Sequence, residues 1–175
     1  MNLQPTLSDE LVTLRPLVIA DYEALRLAAA DPLIWELHKN GQSRSTPEGF
    51  EKFFNESITS GGAFVIIDRE NDKIIGSSRY KLVEGTDRAI EIGWTFLARA
   101  YWGGVYNHAI KRLMIDYAHQ HFSEVFLNIA ADNFRSQGAA RKIGAQLLTD
   151  YDPPSAIRTR ERNNALTFCI FREDQ

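Results

Sequence analysis

The sequence predicts a mixed α/β fold: a mostly antiparallel sheet of about seven strands with one parallel pair, flanked by about four helices. Three observations predict it. Short β-branched and aromatic runs alternate with longer segments of helical period. The runs at 63–67, 73–82 and 90–97 are joined by short polar connections, as in an antiparallel meander. The runs at 90–97 and 125–130 are separated by a long amphipathic segment, so they need a crossover and should lie parallel. At 175 residues, 44% of them hydrophobic, the chain can build a substantial core, and one domain over 1–175 is expected.

Taken in order, residues 11–17 (LVTLRPL) alternate as a strand, with Pro16 suited to an edge or a strand end. Asp21 marks a helix start. Tyr22, Leu25, Ala28 and Ala29 form that helix's apolar side, and Asp31-Pro32 closes it, because a residue before proline is driven out of the helical region. Residues 33–44 have no clean period and read as a loop or short turn carrying Trp35, His38 and Gly41. Ser45-Thr46-Pro47-Glu48 offers a capping hydroxyl and a proline near the first helical position, so a second helix starts there. Phe50, Phe53, Phe54 and Ile58 are its buried stripe, and Gly61-Gly62 ends it.

After the meander, Trp102-Gly103-Gly104 is a turn into a third helix. Tyr106, Ala109, Ile110, Leu113, Met114, Tyr117 and Ala118 recur at spacings of three and four, with Lys111, Arg112, Asp116 and Gln120 on the opposite side. Asp132 or Asn133 caps a fourth helix that ends at Gly144, with Arg141 and Lys142 in its last turn. A short strand at 146–149, a turn at 151–154 and a final strand at 165–171 complete the chain.

Composition narrows the function. Twenty basic against twenty-three acidic residues give a net charge of −3, which provides no overall field for a nucleic acid partner. One cysteine, Cys169, allows no intrachain disulfide and fits a reducing compartment, where its apolar run makes it a buried structural thiol. Neither a signal peptide nor a membrane-spanning run is present, so a cytoplasmic protein without a membrane partner is expected. Four histidines and one cysteine show no zinc-ligand spacing, and no metal is expected. A strand leading through two glycines into a helix leaves first-turn N–H groups without partners, in the positive field of the helix dipole. Such an end suits a phosphate.

The segments Glu91-Ile92-Gly93-Trp94, Tyr101-Trp102-Gly103-Gly104, Asn133-Phe134-Arg135-Ser136 and Lys142-Ile143-Gly144-Ala145, in this order, resemble the GNAT superfamily of acyl-CoA-dependent N-acetyltransferases, and within it the ribosomal-protein-alanine branch. The resemblance extends over nearly the whole chain. It implies acetyl-CoA as co-substrate, with main-chain amides from Gly103, Gly104, Val105, Tyr106 and Asn107 cradling the pyrophosphate. A main-chain N–H near a bulge between Gly93 and Phe96, a stretch that includes Trp94, would face the thioester oxygen. Asn133 would bond the pantetheine arm or merely cap its helix. Glu91 would act as base toward the amine, its alternative being an ion-paired strand glutamate beside Arg79 or Arg88. Ser136 would act as acid toward the departing thiolate, its alternative being to satisfy backbone groups in the first turn of its helix. Trp35 and His38 would shape the acceptor pocket, although core packing is the commoner fate of a tryptophan. Arg158, Arg160 and Arg162 form a loop cluster, read as a solvated charge run.

Two residues depart from the family pattern. Val105 stands where a glycine is common, and Ala140 where many members carry a tyrosine acid. The implied activity is transfer of an acetyl group to a primary amine, a protein N-terminus or a small amine, by direct attack in a ternary complex. The alternative is a non-catalytic GNAT-like domain that binds an acyl-CoA or a partner. The implied assembly is a monomer or homodimer.

Overall fold

The computed structural model describes residues 1–38, 41–149 and 164–173. Its strands are β1 (Leu7–Ser8), β2 (Val12–Pro16), β3 (Ala63–Asp68), β4 (Lys73–Leu82), β5 (Ala89–Leu97), β6 (Glu124–Ala130), β7 (Gln146–Leu147) and β8 (Ala165–Phe171). They form one sheet in the order β1-β2-β3-β4-β5-β6-β8-β7. Every neighbouring pair is antiparallel except β5 and β6, which are parallel. The helices are α1 (Tyr22–Ala29), α2 (Pro47–Thr59), α3 (Val105–His119) and α4 (Phe134–Lys142).

The expected architecture is present, with one strand more than the sequence reading. Leu7–Ser8 pairs with Leu14 and Thr13 over two residues only, too few to show a period. The strand expected at 146–149 is confined to Gln146–Leu147. Three short 3₁₀ turns, Pro32–Ile34, Gln42–Ser45 and Arg99–Tyr101, occupy stretches read as loop or strand end. The turn at 151–154 and the cluster Arg158, Arg160 and Arg162 lie outside the described residues.

The sheet is covered on both faces. Alternation along β3 sends Phe64 and Ile66 to the face covered by Ile110, Met114 and Ala118 of α3. Ala63 and Val65 go to the face covered by Leu25 and Ala29 of α1 and Phe50, Phe53 and Phe54 of α2. Helix α2 begins as its sequence predicts: Thr46 Oγ1 accepts from the Gly49 N–H at 3.2 Å, with Pro47 in the first position.

Two irregularities of β5 prepare a site. First, β5 pairs with β6 only at Ala89, Ile90 and Glu91, against Glu124, Val125 and Phe126. Beyond those pairs β6 stays with β8 as far as Ala130, and β5 continues against β4 as far as Leu97. The two parallel strands therefore splay. Second, Arg79 faces Gly93 and Ser77 faces Phe96, so Trp94 and Thr95 together oppose Ser78. That is a β-bulge, and Trp94 takes φ 53°, the left-handed region that a bulky residue rarely occupies. The extra residue changes which face the strand presents. Ile90 and Ile92 pack with α3, whereas beyond the bulge Thr95 and Leu97 do so.

Candidate active site

The splay opens into a cleft of about 780 Å³, within the usual range for a small-molecule site. Its floor is β5 from Glu91 to Leu97 and β6 from Leu127 to Ala130; α3, α4 and the segment between α1 and α2 wall it.

At one end stands the start of α3. Gly103 has φ 73°, a conformation that favours glycine, and Gly104 is the N-cap without a side-chain cap bond. The amides of Val105, Tyr106 and Asn107 are therefore the orphan donors of a 15-residue helix. A Cβ built on Gly104 meets nothing within 4 Å, so the approach to these amides is open. Buried Asp68 at the end of β3 holds this end in place. Its carboxylate accepts from Tyr106 Oη at 3.2 Å, Tyr101 Oη at 3.1 Å and Asn71 Nδ2 at 2.6 Å. Arg135 closes the same end, its guanidinium 3.8 Å from the Trp102 ring centroid and its Nη2 donating to the Ile34 carbonyl at 3.3 Å.

Lys111 is the main residue that the sequence reading misplaced. It was assigned to the side of α3 opposite the apolar stripe, yet it is only 8% exposed and lines the cleft. Its Nζ donates to Thr95 Oγ1 at 2.7 Å, and that hydroxyl also shares a 2.8 Å hydrogen bond with Ser78 Oγ. Burial lowers the Lys111 ammonium from 10.5 to about 7. A signal was available: Asn107, Lys111, Ile115 and Ala118 recur at helical spacing as a second stripe, and Asn107 lines the cleft as well.

Across the sheet, Glu91 is 5% exposed, and its Oε1 lies 3.3 Å from where a Cβ on Gly93 would stand. Gly93 thus leaves the carboxylate room to lean along the strand. Arg79, on the same face, donates from Nη2 to Ser57 Oγ at 2.5 Å and stacks on Trp94, its Cζ 4.6 Å from the ring centroid. Burial brings the Arg79 guanidinium down to about 10. His38 lines the cleft and is held down to about 4, first by burial and then by Arg44 and Arg135, so it is neutral at physiological pH. Arg44 lies over the rings of Trp35 and Phe53, at 5.3 and 4.9 Å.

On the α4 wall, Asn133 is 4% exposed and its Oδ1 accepts from the Ser136 N–H at 3.0 Å. Asn133 is the helix cap. The Ser136 hydroxyl makes no hydrogen bond among the described residues and lines the cleft beside Gly138, Ala139 and Ala140.

The fold thus gathers Glu91, Trp94, Phe96, Gly103, Gly104, Asn107, Asn133, Ser136 and His38 around one cleft. The Phe96 ring also packs between Trp35 and Phe53. Three other candidates do not line it. Trp35 is 1% exposed, donates from Nε1 to the Ala29 carbonyl at 2.8 Å and belongs to the core beneath His38 and Arg44. Val105 is 64% exposed and is not among the residues that line the cleft. The Tyr106 hydroxyl is committed to Asp68. The sequence reading also missed Arg44 as a cleft residue and gave Arg135 no role there.

Comparison with known proteins gives this arrangement a family. A family model described as an acetyltransferase (GNAT) domain matches residues 12–146. The chain belongs to the GNAT family. Membership carries acetyl transfer as the general activity and acetyl-CoA as the family's donor. Sequence comparison with curated proteins finds no match. Among solved structures, the GNAT chain is similar to a GCN5-related N-acetyltransferase from Brucella melitensis, with TM-score 0.79 and 16% identity over 96% of this chain and 79% of that one. It is also similar to an acetyltransferase from Agrobacterium tumefaciens, with TM-score 0.71 and 23% identity over 96% and 95% of the two chains. Mycobacterium smegmatis RimJ in complex with CoA-disulfide matches with TM-score 0.66 and 16% identity over 96% and 86%. No helix among the described residues is long and apolar enough to cross a membrane.

Proposed function

We propose that the whole chain is one catalytic unit that moves an acetyl group from acetyl-CoA to a primary amine by direct attack in a ternary complex. The observation that carries this reading is the splay of β5 from β6 beside a bulge, with an uncapped helix start at one end of the gap. An extended pantetheine arm can lie between the two strands, and strand atoms that would otherwise pair with each other are left to bond it. Amides of Val105, Tyr106 and Asn107 hold the pyrophosphate, and Arg135 and Lys142 add positive charge along the same cleft.

The bulge turns main-chain amides around Trp94 and Thr95 away from β4, where one can donate to the thioester oxygen as it gains charge. Glu91, on the side facing His38 and Arg44, accepts the proton lost by the acceptor amine, directly or through a water. Ser136 donates its hydroxyl hydrogen bond to the departing sulfur in place of the tyrosine that Ala140 replaces. The acceptor is a protein N-terminus or a small amine that enters between α1 and α2.

The test is calorimetry with acetyl-CoA followed by thiol release against a panel of N-terminal peptides and small amines. Binding together with amine-dependent thiol release is expected. Binding with no release from any amine would instead favour an acyl-CoA-binding protein without turnover, the reading that Ala140 motivates.

A further inference from the structure

Lys111 brings a buried amine into the cleft, and among the described residues no carboxylate is supplied to balance its protonated form. Its Nζ spends one of three donors on Thr95 Oγ1, and no described acidic side chain lies within ion-pair distance. A buried ammonium without a counter-charge is costly, so the compensating charge is most simply one that a ligand brings. Among the described residues, the other ionisable groups lining the cleft are Glu91 of β5, Tyr101 before α3, His38 and Arg44 before α2, His108 of α3, and Arg135 and Lys142 of α4. Glu91 alone among them is acidic, and it lies on the opposite face of β5, alongside Gly93.

Position selects which ligand charge is meant. Lys111 is the seventh residue of α3, about 9 Å along the axis from the first, so it is remote from the amides proposed for the pyrophosphate. Its partner Thr95 belongs to the bulge, the end of the cleft where the thioester would lie. Glu91, His38 and Arg44 approach the gap from the face of α1 and α2, and Lys111 approaches from the face of α3. An amine that adds to the thioester carbonyl from the first face bends the other substituents, sulfur included, toward the second as the carbon becomes tetrahedral.

Building on the donor site proposed above, the geometry points to Lys111 as a catalytic residue that holds the sulfur of CoA as a thiolate. The new C–N bond forms as the carbonyl π pair moves to oxygen; when the C=O bond re-forms, the C–S bond breaks and its electron pair stays on sulfur. The proton lost by the amine leaves through Glu91. The thiolate rests against the Lys111 ammonium and takes a proton from solvent on release. Lys111 gives up no proton in this sequence, and Ser136 adds a neutral hydrogen bond to the same sulfur.

The experiment needs no acceptor. The thiolate absorbance of bound CoA is followed against pH for the parent, Lys111→Met and Lys111→Arg, each referenced to desulfo-CoA. The protein's single thiol does not interfere, because burial pushes Cys169 up to about 12. Bound to the parent, the CoA thiol should ionise at least tenfold more readily than a free thiol, whose pKa is about 8.5. The methionine variant should return it to the free value while binding desulfo-CoA as the parent does, and the arginine variant should keep it acidic. A parent complex whose bound thiol titrates like free CoA overturns the proposal, whether or not the methionine variant folds. So does tighter parental binding of succinyl-CoA than of acetyl-CoA, by tenfold or more and lost in Lys111→Met, because the ammonium would then serve an acyl carboxylate. Failure of the parent to bind both CoA and desulfo-CoA refutes the donor-site reading itself.

Discussion

Replacing Lys111 by methionine should stabilise the ligand-free protein near neutral pH, and the gain should disappear as pH rises. In the unfolded chain the ammonium titrates near 10.5; in the fold, burial brings it to about 7. Below the folded value both states are protonated and the folded state bears the full cost of the buried charge. Between the two values only the unfolded chain holds the proton, so raising pH favours folding; above 10.5 both forms are neutral and the cost is gone. At about 1.4 kcal/mol per pH unit this gap sets a ceiling of roughly 5 kcal/mol. Relaxation and water in the cleft leave an expected gain of about 2–4 kcal/mol for the variant at neutral pH. Methionine is close in length and apolar, and Thr95 keeps its bond to Ser78, so no new orphan is made. Denaturant unfolding of both proteins from about pH 6 to about pH 10.5 gives the difference directly, and subtraction cancels groups that titrate alike in both. Parallel stability curves across that interval would show that Lys111 is not buried as a cation and would refute the reasoning.

Three further substitutions separate the roles around the cleft. Glu91→Gln should lower kcat by roughly a hundredfold or more while acetyl-CoA affinity in calorimetry stays close to the parent's, as for a group that acts only in the chemical step. Ser136→Ala should leave the melting temperature unchanged, because Asn133 supplies the cap, yet slow turnover; Asn133→Ala should instead cost about 1 kcal/mol of stability in thermal or denaturant unfolding. Gly104→Val should weaken acetyl-CoA binding at least tenfold in calorimetry by placing a branched side chain over open amides, and equal affinity would mean that the phosphate cradle has been misplaced.

Sheet and helices were legible because each buries a continuous apolar stripe. Phe50, Phe53 and Phe54 on α2, and Ile110 and Met114 on α3, repeat at the period of the element that hides them. The parallel pair followed from connection length alone. What stayed hidden depends on distant partners. The resemblance put a bulge between Gly93 and Phe96, and Trp94 and Thr95 form it there, but that a tryptophan would take a positive φ has no local sequence signature. Lys111 looked like a solvated charge because its one local signal, the second stripe with Asn107 and Ile115, does not announce that Thr95, sixteen residues earlier, meets it from the bulged strand. Trp35 and Tyr106 were reasonable ligand contacts by resemblance, yet the Ala29 carbonyl and Asp68 claim their polar atoms. Asn133 resolves in the opposite sense: the local capping geometry that the sequence offered is the one the fold uses.

The most direct test of the central claim is an amide NMR titration of the full chain with acetyl-CoA. The account predicts saturable shifts concentrated at 93–97 on the bulged strand, 103–108 at the start of α3 and 128–136 leading into α4. Shifts that instead cluster on the shallow acidic hollow along the outer face of α2, between Glu48 and Ser60, or no saturable shifts at all, would contradict it.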